Sequence, residues 1–338
     1  MKKLGKKLKI RPGGSIKIVG LGKYLPQKVL TNFDLEKMVD TSDEWITTRT
    51  GIKERRLVEG ESASDLGTKA SLRALKRAGL RPRDIELIIV GTITPDYQFP
   101  STACCIQKNL GAKKAVVLDI SAACAGYVYA LGIAWALVGG GFYKNALVIG
   151  SEVLTSITDW KDRSTCILFG DGAGACIVVP TKSKSGLLSI YLGGDGSFGD
   201  LLILPAGGSR TPASEETVKR GLHYIKMQGN ELFKIAVRVM VECAQKALKK
   251  CGLTSRDIDL LVPHQANLRI INAVAKRLNL PPEKVFVNIH RYGNMSSAST
   301  AVGLCEAYEE GRIKKGDIVV LDAFGGGLVW GSCVIKWI

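Results

Sequence analysis

Apolar positions along this chain follow two rhythms. From Asn230 to Lys250 they recur every three to four residues, with Leu232, Phe233, Ala236, Val237, Met240, Val241 and Ala244 on one stripe, and the spacing predicts an amphipathic helix with Asn230 as its N-cap. Elsewhere they form short, nearly continuous runs such as ALVIGSE (146–152) and VVLDAFG (319–325), the pattern of strands covered on both faces. The run from Ile120 to Phe142 has 23 residues and no charge, long enough to cross a bilayer. It is diluted by Ala, Gly and Ser and closes on three glycines (139–141), so it is read as a helix buried inside an α/β core.

The pattern occurs twice. ALKRAGLRPRDIELII (74–89) and ALKKCGLTSRDIDLLV (247–262) share nine of sixteen residues at an offset of 173. In each, a helix ends at a glycine suited to a left-handed cap (Gly79, Gly252), and an Arg-Asp-Ile turn leads into an apolar strand. ALVIGSE and VVLDAFG lie at the same offset, and FGDGAGACIVV (169–179) answers FGGGLVWGSCVI (324–335). The chain therefore divides into a basic extension (1–14) and two α/β halves (15–185 and 186–338), with sites expected in the crevice between the halves. Gly170–Gly174 has the look of a dinucleotide loop, but a strand-like run follows it where a helix is required, so it is read as a tight turn.

Composition narrows the functional classes. The chain has 338 residues, 46% hydrophobic and 23% charged, which is ordinary globular composition. Lys plus Arg exceed Asp plus Glu by 16, which points to an anionic partner: nucleic acid, membrane, a phosphate-bearing molecule or an acidic protein. Six of the positive charges (Lys2, Lys3, Lys6, Lys7, Lys9, Arg11) lie in the first eleven residues, with no apolar segment of signal-peptide type after them. Nine cysteines with no C-x-x-C pair suit reduced thiols in a cytoplasm, and three histidines away from ligand spacing give no basis for a metal site. No P-loop and no glycine-rich loop opening a helix is present, which argues against a nucleotide-binding or scaffold role for the duplicated fold.

Three residues stand at expected strand-to-helix junctions. Cys124, in AVVLDISAACAGYVYAL, falls near a helix N-terminus, where the dipole lowers a thiol pKa; the ordinary alternative is a buried, inert cysteine. His264, in LLVPHQANLRI, occupies a loop whose counterpart in the first copy reads GTITPDY, and the alternative is a core histidine. Asn294, in HRYGNMSSASTAVGL, reads locally as an N-cap. Two of the three come from the half opposite the cysteine, so thiol, imidazole and amide can meet in one cleft.

With these residues the chain resembles the thiolase-like condensing enzymes, and among them the family of beta-ketoacyl-acyl-carrier-protein synthases III. The motifs are SDEWITTRTGIKERR (42–56), ISAACAGYVYAL (120–131), CILFGDGAGA (166–175), MQGNELFK (227–234), PHQANLRI (263–270), YGNMSSAS (292–299) and FGGGLVWGS (324–332). The resemblance covers the chain from about Ser15 onward. Elongating synthases carry a second His where this chain has Asn294, and thiolases a second Cys; chalcone synthases share Cys, His and Asn but differ around the closing glycine loop.

The resemblance implies a five-layered α-β-α-β-α thiolase fold, a homodimer, and a catalytic set of Cys124, His264 and Asn294. It implies the initiating step of type II fatty-acid synthesis: a short acyl-CoA, acetyl-CoA first, acylates Cys124 and then condenses with malonyl-acyl-carrier protein, releasing CoA and CO2. A polyketide or quinolone starter enzyme is the alternative. The oxyanion hole would be the N–H groups of Cys124 and Gly326. Trp45 and Arg163 would bracket the CoA adenine, Arg49 would meet its phosphates, Asn230, Asn267 and Phe233 would line the pantetheine path, and Phe99 would reach across the dimer to close the acyl pocket. Lys234, Arg269, Lys276 and Arg277 would dock the acidic carrier protein. No cofactor, metal, nucleic acid or membrane insertion is implied, since acyl-CoA is a substrate.

Overall fold

A computed structural model describes residues 14–338; the basic segment Lys2–Arg11 lies outside the described residues. The first half contains β1 (Ser15–Tyr24), α1 (Asp43–Thr50), α2 (Ala63–Ala78), β2 (Leu87–Gly91), α3 (Thr102–Leu110), β3 (Val116–Ile120), α4 (Gly126–Ala134), β4 (Ala146–Val153) and β5 (Asp171–Thr181). The second contains β6 (Gly186–Gly194), α5 (Gly229–Lys250), β7 (Leu260–Pro263), α6 (Leu268–Arg277), α7 (Ser297–Glu309), β8 (Ile318–Gly325) and β9 (Val329–Lys336).

The first sheet runs β1-β5-β4-β2-β3, with β2 parallel to β3 and β4 and the others antiparallel. The second runs β7-β8-β9-β6, with β7 parallel to β8. The orders match except at one edge, where a single bridge between Leu261 and Val285 stands in the place β3 has in the first sheet.

Alternation along the strands explains the layers. In β2, Leu87 and Ile89 point inward to α4 and α7, which lie between the sheets, while Ile88 and Val90 point outward to Leu66, Ala70 and Ala74 of α2 and Ile106 of α3. In the second sheet Leu321 and Ala323 face the same central helices, whereas Val320 and Phe324 face Ala236, Met240 and Ala244 of α5. The result is α2/α3, sheet, α4/α7, sheet, α5/α6: five layers in which both sheets are buried on both faces. The uncharged run from Ile120 forms part of the central layer, passing from α4 into a π-helical turn at Trp135–Gly139.

Helix boundaries follow local chemistry in most places. α2 starts on a capping box of Ser62 with Asp65 and ends at Gly79 (φ 66°). The N-cap of α5 is Gln228 rather than Asn230; the helix begins at Gly229, so Asn230 stands exposed in its first turn. Gly170–Gly174 is likewise not a tight turn: residues from Asp171 are strand β5. Its glycines serve packing across layers. A Cβ on Gly174 would come within 2.6 Å of Ala301 of α7, and one on Gly170 within 2.5 Å of the Tyr292 carbonyl. No helix among the described residues is long and apolar enough to cross a membrane.

Candidate functional site

Cys124 follows β3 in a 3-10 turn (Ala123–Ala125) that runs into α4, and Ala123 is held at φ 42°, a left-handed conformation rare for a residue with a side chain. That bend turns the thiol toward the crevice between the halves. The turn is braced by the glycines that end β8: a Cβ on Gly325 would lie 2.5 Å from the Cys124 nitrogen. The thiol itself is buried, and burial pushes it up to about 12, the reverse of the lowering expected from a helix terminus alone. The resting thiol is therefore neutral.

His264 leaves the end of β7 on a hydrogen bond from its N–H to the Asp322 carbonyl (2.8 Å). Its ring is buried, neither nitrogen has a hydrogen-bond partner, and desolvation lowers its pKa to about 3, so the imidazole is neutral and can donate from one nitrogen. Asn294 is not the N-cap of the following helix and does not follow a strand. A short helix (Ile289–Tyr292) precedes it, it forms a bridge with Phe169, and Ser296 is the N-cap of α7. Its Oδ1 accepts the Ser296 N–H at 2.8 Å, which leaves the amide NH2 as the end free to donate.

Two cavities meet at these residues. One, about 620 Å³, is lined at its outer end by Trp45, Arg49, Asn230, Phe233, Lys234, Asn267 and Arg269, and at its inner end by Cys124, His264 and Asn294. The other, about 420 Å³, opens behind the thiol; Cys124, Asn294, Ser296, Gly326 and Gly327 share its wall with Ile93, Leu154, Ile157, Phe169, Leu202 and Ile225. A thiol at the junction of a long, polar-mouthed passage and an apolar chamber suits a substrate with a polar carrier arm and an apolar acyl end.

At the mouth, Trp45 is in contact with two cations, with Arg49 Cζ 4.6 Å and Arg163 Cζ 4.9 Å from its ring centroid. Arg163 also donates to the Asp40 carbonyl (2.8 Å). Asn267 caps α6 through the Arg269 N–H and donates to the Arg49 carbonyl (3.0 Å), tying the two sides of the mouth together. Arg269 rests on Phe233, with 5.8 Å from Cζ to the ring centroid. Lys276 and Arg277 are exposed on the last turn of α6, beyond the cavity lining, and Phe99 is 88% exposed on the loop between β2 and α3, lining neither cavity. The sequence reading missed Ser296, on the chamber wall, and Glu152, fully buried beneath it; the one signal for Glu152 was an acidic residue closing the apolar run ALVIGSE.

This fold and this junction of thiol, imidazole and amide define the class of thiolase-like condensing enzymes. Family models described as 3-oxoacyl-[acyl-carrier-protein] synthase III match residues 118–196, and, for its C-terminal part, residues 248–337. A beta-ketoacyl-[acyl-carrier-protein] synthase III of Caldanaerobacter subterraneus is 59% identical over 95% of this chain and 97% of its own length. The crystal structure of the synthase III from Aquifex aeolicus is 50% identical, with a TM-score of 0.88, over 95% of this chain and all of that one. The priming beta-ketosynthase of the R1128 polyketide pathway has the same fold at 35% identity, with a TM-score of 0.89 over 98% and 99% of the two chains. The chain belongs to the beta-ketoacyl-acyl-carrier-protein synthase III family. It is an acyltransferase, the initiating condensing enzyme of fatty-acid synthesis, and the 59% and 50% identities to the Caldanaerobacter and Aquifex synthases III over nearly the whole chain favour this over the polyketide alternative.

Proposed function

We propose that the reaction runs through an acyl-Cys124 intermediate, with a short acyl-CoA, acetyl-CoA first, as donor and malonyl-acyl-carrier protein as acceptor. The Cys124 sulfur attacks the thioester carbon, the oxyanion sits on the N–H groups of Cys124 and Gly326, and CoA leaves. Malonyl-acyl-carrier protein then enters by the same passage. His264 and Asn294 donate to its thioester oxygen, stabilising the enolate formed as CO2 departs, and the enolate carbon attacks the acyl-Cys124 carbonyl. Two neutral donors fit a charge that develops on oxygen, each worth about 3 kcal/mol in the transition state. What supports this reading above all is the single cavity that Cys124, His264 and Asn294 share.

The passage mouth suits CoA. Adenine would slide between Trp45 and Arg163 once Arg163 swings off the indole, Arg49 would meet the phosphates, and Asn230, Asn267 and Phe233 would follow the pantetheine. The exposed side chains of Lys234, Arg269, Lys276 and Arg277 would offer an acidic carrier protein its cationic partners. The exposed Phe99 suits burial by a second copy of the chain in a homodimer, where it would fill the chamber beyond what an acetyl group needs. Nine unpaired thiols support a cytoplasmic setting, and no resident cofactor is required. The test is condensation by Cys124→Ser: a loss of at least about 10³-fold is expected, and full retained activity would overturn the reading.

A further inference from the structure

Gln265 follows His264 just past the end of β7, is fully buried, and has no part in the chemistry above. Its side-chain amide fills all four of its hydrogen-bonding places. Nε2 donates to the carbonyls of Pro263 (2.9 Å) and Phe286 (3.1 Å), and Oε1 accepts the N–H groups of Asn288 (3.1 Å) and Ile289 (3.2 Å). One buried amide thus joins the strand end that carries His264 to the segment that leads, through the short helix Ile289–Tyr292, into Asn294.

The first half shows what this amide stands in for. There β3 pairs along the whole of β2, and the ladder runs on as the Thr92 N–H donates to the Ile120 carbonyl (3.2 Å). Thr92 is the counterpart of Gln265 at the offset of 173. In the second half the backbone pairing at this edge is a single bridge, where the Phe286 N–H donates to the Leu261 carbonyl (2.8 Å), and the Gln265 side chain makes the bonds beyond it. Glu306 of α7, 1% exposed, holds the same segment by accepting the Asn288 amide (2.9 Å) and the Tyr292 hydroxyl (2.7 Å). The His264 ring has no such brace. Neither of its nitrogens has a hydrogen-bond partner, so the direction of the imidazole depends on its backbone, which Asp322 holds at the His264 N–H and Gln265 holds at the Pro263 carbonyl.

We propose that Gln265 is a positioning residue for the malonyl half-reaction: its amide sets the spacing between the His264 imidazole and the Asn294 amide, so that both donate to one thioester oxygen. Gln265 lines neither cavity and so acts only through these two residues. Two donors serve one oxygen only if both reach it at about 2.7–3.1 Å, and a misplacement of about 1 Å can cost about 10²-fold. Acyl transfer to Cys124 uses other donors, the N–H groups of Cys124 and Gly326, and is independent of this spacing. Asn267, two residues on, has its own anchors in the Arg49 carbonyl and the Arg269 N–H, so the CoA passage is spared.

The inference rests on His264 and Asn294 being the decarboxylation donors, which their single alanine variants test separately. If those variants keep wild-type CO2 release, that reading and this inference both fail; if they lose it and the Gln265 variants do not, only this inference fails. Gln265→Met keeps the length of the side chain and removes all four bonds. Its kcat for CO2 release from malonyl-acyl-carrier protein should fall about 10- to 10²-fold with KM within about twofold, while acetyl transfer from CoA, read by intact mass, stays within about twofold. In an Asn294→Ala background the same substitution should cost about twofold or less, because spacing has no meaning with one donor gone; a residue that merely holds the fold together would cost as much in either background. Gln265→Asn keeps an amide for the buried carbonyls but is one methylene short of spanning the two segments; it should show the same split, and it decides if Gln265→Met does not fold. Equal losses in both half-reactions, additivity with Asn294→Ala, or wild-type CO2 release would overturn the proposal.

Discussion

Ala123 and Ser296 lie 173 residues apart, the offset of the duplication, and both stand at a positive φ, 42° and 46°, just before α4 and α7. The residues that follow, Cys124 and Ser297, are thus counterparts, but their surroundings differ. Cys124 faces Gly325, whose missing side chain lets the β8 end approach the Cys124 nitrogen, and its thiol opens onto two cavities. Ser297 faces the counterpart of Gly325, which is Glu152; its N–H is taken by that carboxylate and its hydroxyl donates to the Gly91 carbonyl at 2.6 Å. One fold element, duplicated, supplies an open bend at the junction of two cavities and a sealed bend whose N–H is taken by a carboxylate. Gly91 is itself the counterpart of His264, so the open bend has an imidazole beside it where the sealed one has a glycine.

The largest way to break this contrast is to remove the donors of the open side. His264→Ala and Asn294→Ala are each expected to cut malonyl decarboxylation about 10²- to 10³-fold while leaving acetyl transfer to Cys124 intact, read by CO2 release and by acyl adduct mass. Equal loss in both half-reactions would contradict the division of labour. Next comes Gly325→Ala, whose Cβ would strike the Cys124 nitrogen at 2.5 Å. It should destabilise the fold by about 1–3 kcal/mol and slow acylation about tenfold or more, measured by denaturant midpoint and burst kinetics.

A smaller effect belongs to the outer face. Lys276→Glu with Arg277→Glu should raise KM for malonyl-acyl-carrier protein about two- to fivefold, more at low salt, and leave acetyl-CoA kinetics unchanged. Smallest is a change inside the second sheet. Asp322, in β8, is fully buried with neither oxygen partnered, and burial raises its pKa well above that of an exposed carboxyl. The native state keeps this proton while the unfolded chain gives it up above about pH 4, so stability is lost as pH rises from there. Asp322→Asn should therefore raise the melting temperature at pH 7 and do little at pH 4.

Much of this was legible in the sequence because it depends on local spacing. Nearly continuous apolar runs gave the strands, three-to-four spacing gave α5, and Gly79 and Gly252 stand at positive φ as their place after a helix required. What depends on distant packing was not legible. The glycines of Gly170–Gly174 look like a turn, yet their reason is Ala301 and Tyr292 of the other half. The Cys124 thiol was placed correctly at a helix terminus, but its burial, which outweighs the dipole, is created by residues far along the chain. Asn230 has the chemistry of a cap, and the helix begins one residue before it. Glu152 closes an apolar strand like many a solvent-facing residue, and only the approach of α7, 145 residues on, buries it.

The central claim is that the open bend carries the acyl group and the sealed one does not. Intact-protein mass spectrometry after mixing with acetyl-CoA, isobutyryl-CoA or octanoyl-CoA tests it in wild type, Cys124→Ala, and Cys124→Ala with Ser297→Cys. A single acyl group on the wild type, heaviest in yield with acetyl, and none on either variant, is the predicted result. An adduct that survives Cys124→Ala, or that returns with a thiol at position 297, would contradict it.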